Sequence, residues 1–204
     1  MEIHLENIGK KYNQNTIFEG VNLILKENQA TAILGKNGSG KSSLLKIIAG
    51  YVSQSNGEIK FLNNSKTISR DDIFREVAYL SPSLELIEEM TLIEFLVFHF
   101  SFKKKLIAIP QMLEQIGLEK FKNDIIENFS SGMKQRVKMA QAFFTDAKIL
   151  LLDEPCTNLD KEGIVLYNHL IQYFTKDKII VVASNSIDEY HFCINHFNLT
   201  KING

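Results

Sequence analysis

The chain has 204 residues, 45% hydrophobic and 23% charged, with a formal net charge of -1. That length suits one domain with its own core. The near-neutral balance argues against a nucleic-acid surface, which needs a basic field. Cys156 and Cys193 are the two cysteines and form no CxxC pair, which fits free thiols in a reducing compartment. The opening "MEIHLENIGKKY" lacks the apolar core of a signal peptide. The most apolar window, Leu92 to Phe102, is shorter than the ~20 residues a bilayer span needs. It also carries Glu94 and His99. A soluble, cytoplasmic protein is expected.

In chain order, "VNLILKE" is the clearest early strand, and "ATAILG" (Ala30 to Gly35) is a short apolar strand stopping at glycine. "SSLLKIIAG" has helical spacing, with Gly50 as its C-terminal stop. "GEIKFLNN" reads as a strand and turn. Roughly residues 82 to 145 are helical in pattern, and Thr91 with Glu94 offers a capping box. "KILLLDEP" and "IIVVASN" are apolar runs of the kind buried on both faces in a parallel sheet. Strands, a helical middle and strands again point to an α/β core with a helical insertion.

The strongest motif is "GKNGSGKS", Gly35 to Ser42, which matches G-x-x-x-x-G-K-[ST] between a strand and a helix. Gly35, Gly38 and Gly40 let backbone N–H groups converge on a phosphate, and the following helix aims its positive end there. Lys36, Asn37, Ser39 and Ser43 complete the predicted nucleotide-binding segment. Lys41 supplies a cation for the β and γ phosphates, and the Ser42 hydroxyl is suited to Mg²⁺. Two acids that merely end a strand cap the next turn. Behind a phosphate loop, Asp153 and Glu154 read instead as the metal ligand and the water-activating base.

"FSSGMKQR", Phe129 to Arg136, resembles the LSGGQxxR signature of ATP-binding cassette (ABC) proteins. Phe129 stands for the leucine, Ser131 for the first glycine and Met133 for the glutamine. Ser130 and Gly132 match. "CTNLD" resembles the D-loop ending in Asp160, and Tyr12 matches the aromatic residue that stacks on adenine. The resemblance covers nearly the whole chain in the family's order. It implies a P-loop NTPase core with a parallel sheet, an N-terminal antiparallel β subdomain and an inserted helical subdomain. Residues 1–81 and 145–204 would form the core and 82–144 the insertion. It further implies that Ser130, Ser131, Gly132 and Met133 reach the γ-phosphate of a second subunit, sandwiching two ATP molecules in a head-to-tail dimer. Independently of the family, Ser130 reads as a helix N-cap, with Val137, Ala140 and Phe144 on one inward face.

Two family positions depart. A glutamine expected after "VAYLSP" is replaced by Pro82 or Ser83, neither with an amide oxygen for Mg²⁺. The strand-end histidine is Asn185, which can donate to a phosphate oxygen but cannot become cationic. With Glu154 and Lys41, Asn185 completes the predicted catalytic set.

The resemblance implies an ATPase subunit, using ATP and Mg²⁺, under a separate membrane permease and peripheral to the inner membrane face. Its partner is a second copy or a homologous ATPase, and export is the expected direction. Leu92, Phe95, Leu96, Phe98 and Phe102 are candidates to line the permease-docking groove, at least half of them being core. "KKK", Lys103 to Lys105, reads as a solvated helix end. A soluble ABC ATPase and a nucleotide-gated module with weak hydrolysis are the alternatives.

Overall fold

The computed structural model describes residues 1–63 and 66–199. Its chain divides into two compact units. One comprises Met1–Tyr79, Lys148–Asp153 and the chain from Asp177 onward; the other comprises Leu80–Ala147 and Glu154–Lys176.

In the first unit, β1 (Glu2–Tyr12) and β2 (Asn15–Lys26) form an antiparallel ribbon, with Ile3 opposite Leu25. β4 (Asn56–Asn63) pairs on the other edge of β1, and β5 (Lys66–Ile68) follows it, giving the order β2-β1-β4-β5. Ile3 and Leu5 are buried while Glu2 and His4 point outward or sit at the margin, the alternation of a sheet with one wet face.

The second sheet contains β3 (Thr31–Leu34), β6 (Val77–Leu80), β7 (Ile149–Asp153), β8 (Ile179–Ala183) and β9 (Asn195–Asn198), in the order β6-β7-β8-β3-β9. β8 runs parallel to both β7 and β3, and β3 runs parallel to β9. Every residue of β7 and β8 is buried, which explains their unbroken apolar runs. Helix α1 (Lys41–Ile48) packs on β7 and β8, and Gly50 just beyond it takes a positive φ of 79°. The short α6 (Ile187–Tyr190) follows β8. One apolar cluster joins Ile3, Phe18 and Leu25 of the first sheet to Leu44 and Ile48 of α1 and to Leu151 and Val181 of the second.

The second unit is built from α2 (Leu92–Phe102), α3 (Ile109–Gln115), α4 (Ser131–Phe143) and α5 (Lys161–Phe174). The Thr91–Glu94 capping box forms: Thr91 Oγ1 accepts from Glu94 N, and Glu94 Oε2 accepts from Thr91 N at 2.9 Å. The Thr91 hydroxyl, which also donates to Glu94 Oε2 at 2.7 Å, and then the Thr91 N–H hold the Glu94 carboxyl below its usual range. Val137, Ala140 and Phe144 are buried, as the single-face pattern requires. Phe143 meets Tyr167 edge-on at 6.1 Å, and Phe144 meets Phe174 at 4.9 Å. These contacts place α5 with the helical unit, whereas the sequence boundaries keep 145–204 in the core. Of the five apolar α2 candidates, Leu92, Phe95 and Leu96 are core, while Phe98 and Phe102 are 43% and 74% exposed. Lys104 and Lys105 are exposed and Lys103 half-buried. The expected turn at Asn64 lies outside the described residues, as do the last five residues of "FNLTKING" (Phe197 to Gly204), a stretch that resembles the strand and turn closing the cassette.

His99 links α2 to α4. Its Nδ1 and Nε2 lie 3.0 Å from Gln141 Nε2 and 3.4 Å from Thr145 Oγ1. The Thr145 hydroxyl donates to the Gln141 carbonyl, so it accepts from His99 Nε2–H, and Nδ1 must accept from the Gln141 amide. That is a neutral imidazole. Burial, with Lys103 nearby, lowers its pKa to about 4. A folded-state pKa below the unfolded value of 6.5 stabilises the fold above pH 6.5, and that stabilisation is lost as pH falls toward 4. Guanidinium unfolding of wild type and His99→Gln between pH 7 and pH 4 measures this. The wild type should lose more stability over that window than the variant.

Candidate functional site

The phosphate loop spans from the end of β3 to α1 within the first unit. Gly40 sits at the helix N-cap with φ 100°, and a Cβ there would lie 2.6 Å from Ile17 Cγ2 and 2.7 Å from Phe18 Cδ1. Both the backbone sign and the space demand glycine. Gly38, at the crown with φ 78°, faces open space, so its requirement is conformational alone. No side chain caps α1 and its first turn holds no acid, which leaves that helix end available to an anion. Lys36, Asn37 and Gly38 are exposed, Ser43 is half-buried, and Ser39 N donates to Lys36 O at 3.0 Å. Ser39 Oγ is buried without a hydrogen-bond partner, an orphaned polar atom inside the loop.

Lys41 is buried, and its ammonium donates to the Gly35 carbonyl at 2.8 Å. The Ser42 hydroxyl donates to Asp153 Oδ1 at 3.0 Å. Asp153, 4% exposed, takes a second hydroxyl, from Tyr79 to Oδ2 at 3.2 Å. Ser42 and Asp153 are therefore two hard oxygen donors side by side at the helix start. That pair fits Mg²⁺, which is held by one or two protein oxygens together with phosphate and water. Among the described residues, no three His, Cys, Asp or Glu side chains form a metal-holding group, so this pair is the candidate.

Asn185 lies two residues beyond the end of β8 and bonds to the same loop. Its Oδ1 accepts from Gly35 N at 3.4 Å and its Nδ2 donates to Asn37 Oδ1 at 3.1 Å. Both ends of the side-chain amide thus meet the phosphate loop. Tyr12 is exposed at the end of β1, with the Lys10 ammonium 4.6 Å from its ring centre.

In the second unit, Glu154 is exposed and has φ 44°, a left-handed backbone that glutamate rarely adopts, immediately before Pro155. The turn is held from α4: Gln135, 3% exposed, donates Nε2–H to the Pro155 carbonyl at 2.7 Å. Ser130 caps α4, its Oγ accepting from Met133 N at 3.2 Å. Ser130, Gly132 and Met133 share an open cleft of about 390 Å³ with Arg136, Asn158 and Asp160; Ser131 is exposed at the first position of α4. Asp160 caps α5 by accepting from Gly163 N at 2.8 Å, and lies 3.8 Å from the Arg136 guanidinium. Signature and D-loop residues therefore meet in one unit. At the departed glutamine position, the Ser83 hydroxyl pairs with Ser81 at 2.9 Å, and the Pro82 carbonyl accepts from Lys138 at 2.8 Å.

Sequence reasoning did not find Tyr79 or Gln135 as site supports. Tyr79 had a signal, a phenol at the end of a buried strand. Gln135 had none beyond its place after the signature.

A family model described as "ABC transporter" matches residues 18–157. The lantibiotic transport ATP-binding protein SrtF of Streptococcus pyogenes is 30% identical over 192 residues, covering 91% of this chain and 80% of that protein. The spermidine/putrescine import ATP-binding protein PotA of Spiroplasma citri is 32% identical, covering 78% of this chain and 46% of its own length. YxlF of Bacillus subtilis, an ABC transporter ATP-binding protein, is 36% identical with 79% and 55% covered. The chain spans about half the length of these last two relatives. Among solved structures, an ATP-binding subunit of an ABC transporter superposes with a TM-score of 0.85 at 24% identity, covering 98% of this chain and 86% of that one. A dimeric ATP-binding cassette in a post-hydrolysis state, bound to ADP and Pi, gives 0.79 at 22%, with 99% of each chain covered. These structures share the fold, and the family match spans well over half of the sequence: the chain belongs to the ABC transporter family, as an ATP-binding cassette.

Proposed function

We propose that this chain is the ATP-binding and hydrolysing subunit of an ABC transporter. It uses ATP and Mg²⁺ and drives a separate membrane permease as a head-to-tail dimer. The observation that carries the reading is the meeting of Lys41, Ser42 and Asp153 at the start of α1, beside an uncapped helix end and the orphaned Ser39 hydroxyl. The Lys41 ammonium, resting on the Gly35 carbonyl, transfers its bonds to the β and γ phosphates when nucleotide enters. Ser42 and Asp153 would hold the Mg²⁺, which would supply positive charge beside the phosphates. Glu154, one peptide bond past Asp153, takes a proton from the attacking water. The bond from the γ-phosphorus to the bridging oxygen breaks, leaving ADP and phosphate.

The dimer reading is supported by the cleft that groups Ser130, Gly132 and Met133 with Asp160, and by a dimeric cassette among the structural neighbours. In this reading the whole chain is one ABC ATPase domain, and each signature serves the nucleotide of the partner copy. The exposed rings of Phe98 and Phe102 on α2 support permease docking on the helical unit. So does a groove of about 510 Å³ in the same unit, lined by Leu84, Leu86 and the glutamates 85, 88 and 89. No helix among the described residues is long and apolar enough to cross a membrane. Relatives are named for import and for lantibiotic transport; export is proposed on the resemblance of "SSGMKQR" to the signature of exporters with a separate ATPase. The nucleotide-gated alternative draws on Pro82 and Asn185; next to Pro82, the Ser83 hydroxyl is already paired.

Three outcomes are expected. Lys41→Ala should weaken MgATP binding in calorimetry by roughly ten- to a hundredfold, the worth of a charged hydrogen bond of ~1.5–3 kcal/mol; unchanged affinity refutes the phosphate-loop assignment. Glu154→Gln should bind MgATP normally, lose roughly 10²–10⁴-fold in hydrolysis and accumulate ATP-loaded dimers on size exclusion. Normal turnover would reassign the base and, in the assembled complex, weigh against the gated alternative. The double variant Phe98→Asp/Phe102→Asp should keep MgATP affinity while losing co-purification with the permease. Retained co-purification moves the docking surface off α2.

A further inference from the structure

The turn Ser184–Asn185–Ser186 leaves β8 at the edge of the phosphate loop, and a buried carboxylate lies beneath it. Glu189, on α6, is 5% exposed, and its Oε2 accepts a hydrogen bond from the Ser184 hydroxyl. A hydroxyl that donates in one direction keeps lone pairs for others. Ser184 Oγ accepts from Ser186 N at 2.9 Å, and Ser184 N donates to the Ile33 carbonyl of β3 at 3.3 Å. Residues on both sides of Asn185 are thus fixed, one of them to the strand that leads into the loop. Between them, the Asn185 amide is held at both ends by Gly35 N and Asn37 Oδ1.

We propose that Glu189 is a positioning residue for the phosphate loop, acting through Ser184 and Asn185. It rests on the reading of Gly35 to Ser42 as the nucleotide loop. Glu189 touches no substrate atom. Its carboxyl oxygen accepts the Ser184 hydroxyl and so fixes it in place. The fixed turn then presents Asn185 so that the first residues of the loop, Gly35 to Asn37, keep one conformation before nucleotide arrives. A histidine there could accept from Gly35 N only through an unprotonated ring nitrogen, whereas the asparagine amide keeps its acceptor at any pH.

Amide hydrogen exchange at Gly35 in the nucleotide-free protein tests it, followed by MgATP calorimetry. Ser184→Ala and Asn185→Ala should each speed Gly35 exchange by up to roughly tenfold, the worth of one hydrogen bond. The double variant should go no further than either single one, because both break the same chain of contacts. Glu189→Gln keeps an acceptor oxygen and should fall between wild type and Ser184→Ala. MgATP affinity should follow the same order. A merely structural role predicts additive effects. Additivity, or Gly35 exchange unmoved by Ser184→Ala and Glu189→Gln, overturns the proposal. If wild type binds no MgATP, the nucleotide reading falls, while the exchange data still decide whether Glu189 fixes the loop. If Ser184→Ala does not fold, the pair Glu189→Gln and Asn185→Ala supplies the same comparison.

Discussion

The Asp153 carboxylate, buried at the end of β7, accepts a proton from the Ser42 hydroxyl on one oxygen and from the Tyr79 phenol on the other. A carboxylate this far from water costs several kcal/mol unless its oxygens are satisfied. Here the satisfaction comes from segments 111 and 74 residues distant in sequence. The first residues of α1 and the end of β6 are therefore set with respect to β7, and the loop before α1 inherits that placement.

The parallel sheet makes this possible. Because β7, β8 and β3 run the same way, their C-terminal ends lie along one edge, and the chain leaves each of them toward the same region. β8 lies between the strand that carries Asp153 and the strand that carries the loop, so Asn185 at its end falls beside Gly35. The same carboxylate oxygens that bind hydroxyls here are the ones suited to a divalent cation, so the polar contacts that support the fold double as a preformed donor set.

The strands, the helical middle and the phosphate loop were legible in the sequence because each has a strong local signature: unbroken apolar runs, a capping box at Thr91, three glycines before Lys41. The split among the α2 aromatics was legible only in part. Spacing shows that Leu92, Phe95 and Leu96 share a face, but not which face finds a neighbour. Tyr79 on Asp153, Gln135 on Pro155 and Glu189 on Ser184 are long-range or buried polar contacts. Such contacts have no periodicity and depend on the finished fold. Asn185 was expected to donate to phosphate; its carbonyl oxygen, which meets Gly35 N, proved as engaged as its NH₂.

Glu154 carries a consequence for laboratory evolution. A left-handed residue before proline is disfavoured by of order 1–3 kcal/mol for glutamate, and glycine or asparagine at that position relieves most of it. Thermostability selection acting alone thus favours glycine or asparagine at position 154, and under the proposed role of Glu154 as the base, selection for turnover opposes it. Under that proposed role, libraries of this chain screened by heat challenge without an activity step lose glutamate at this codon, and its frequency there becomes a gauge of which pressure dominated.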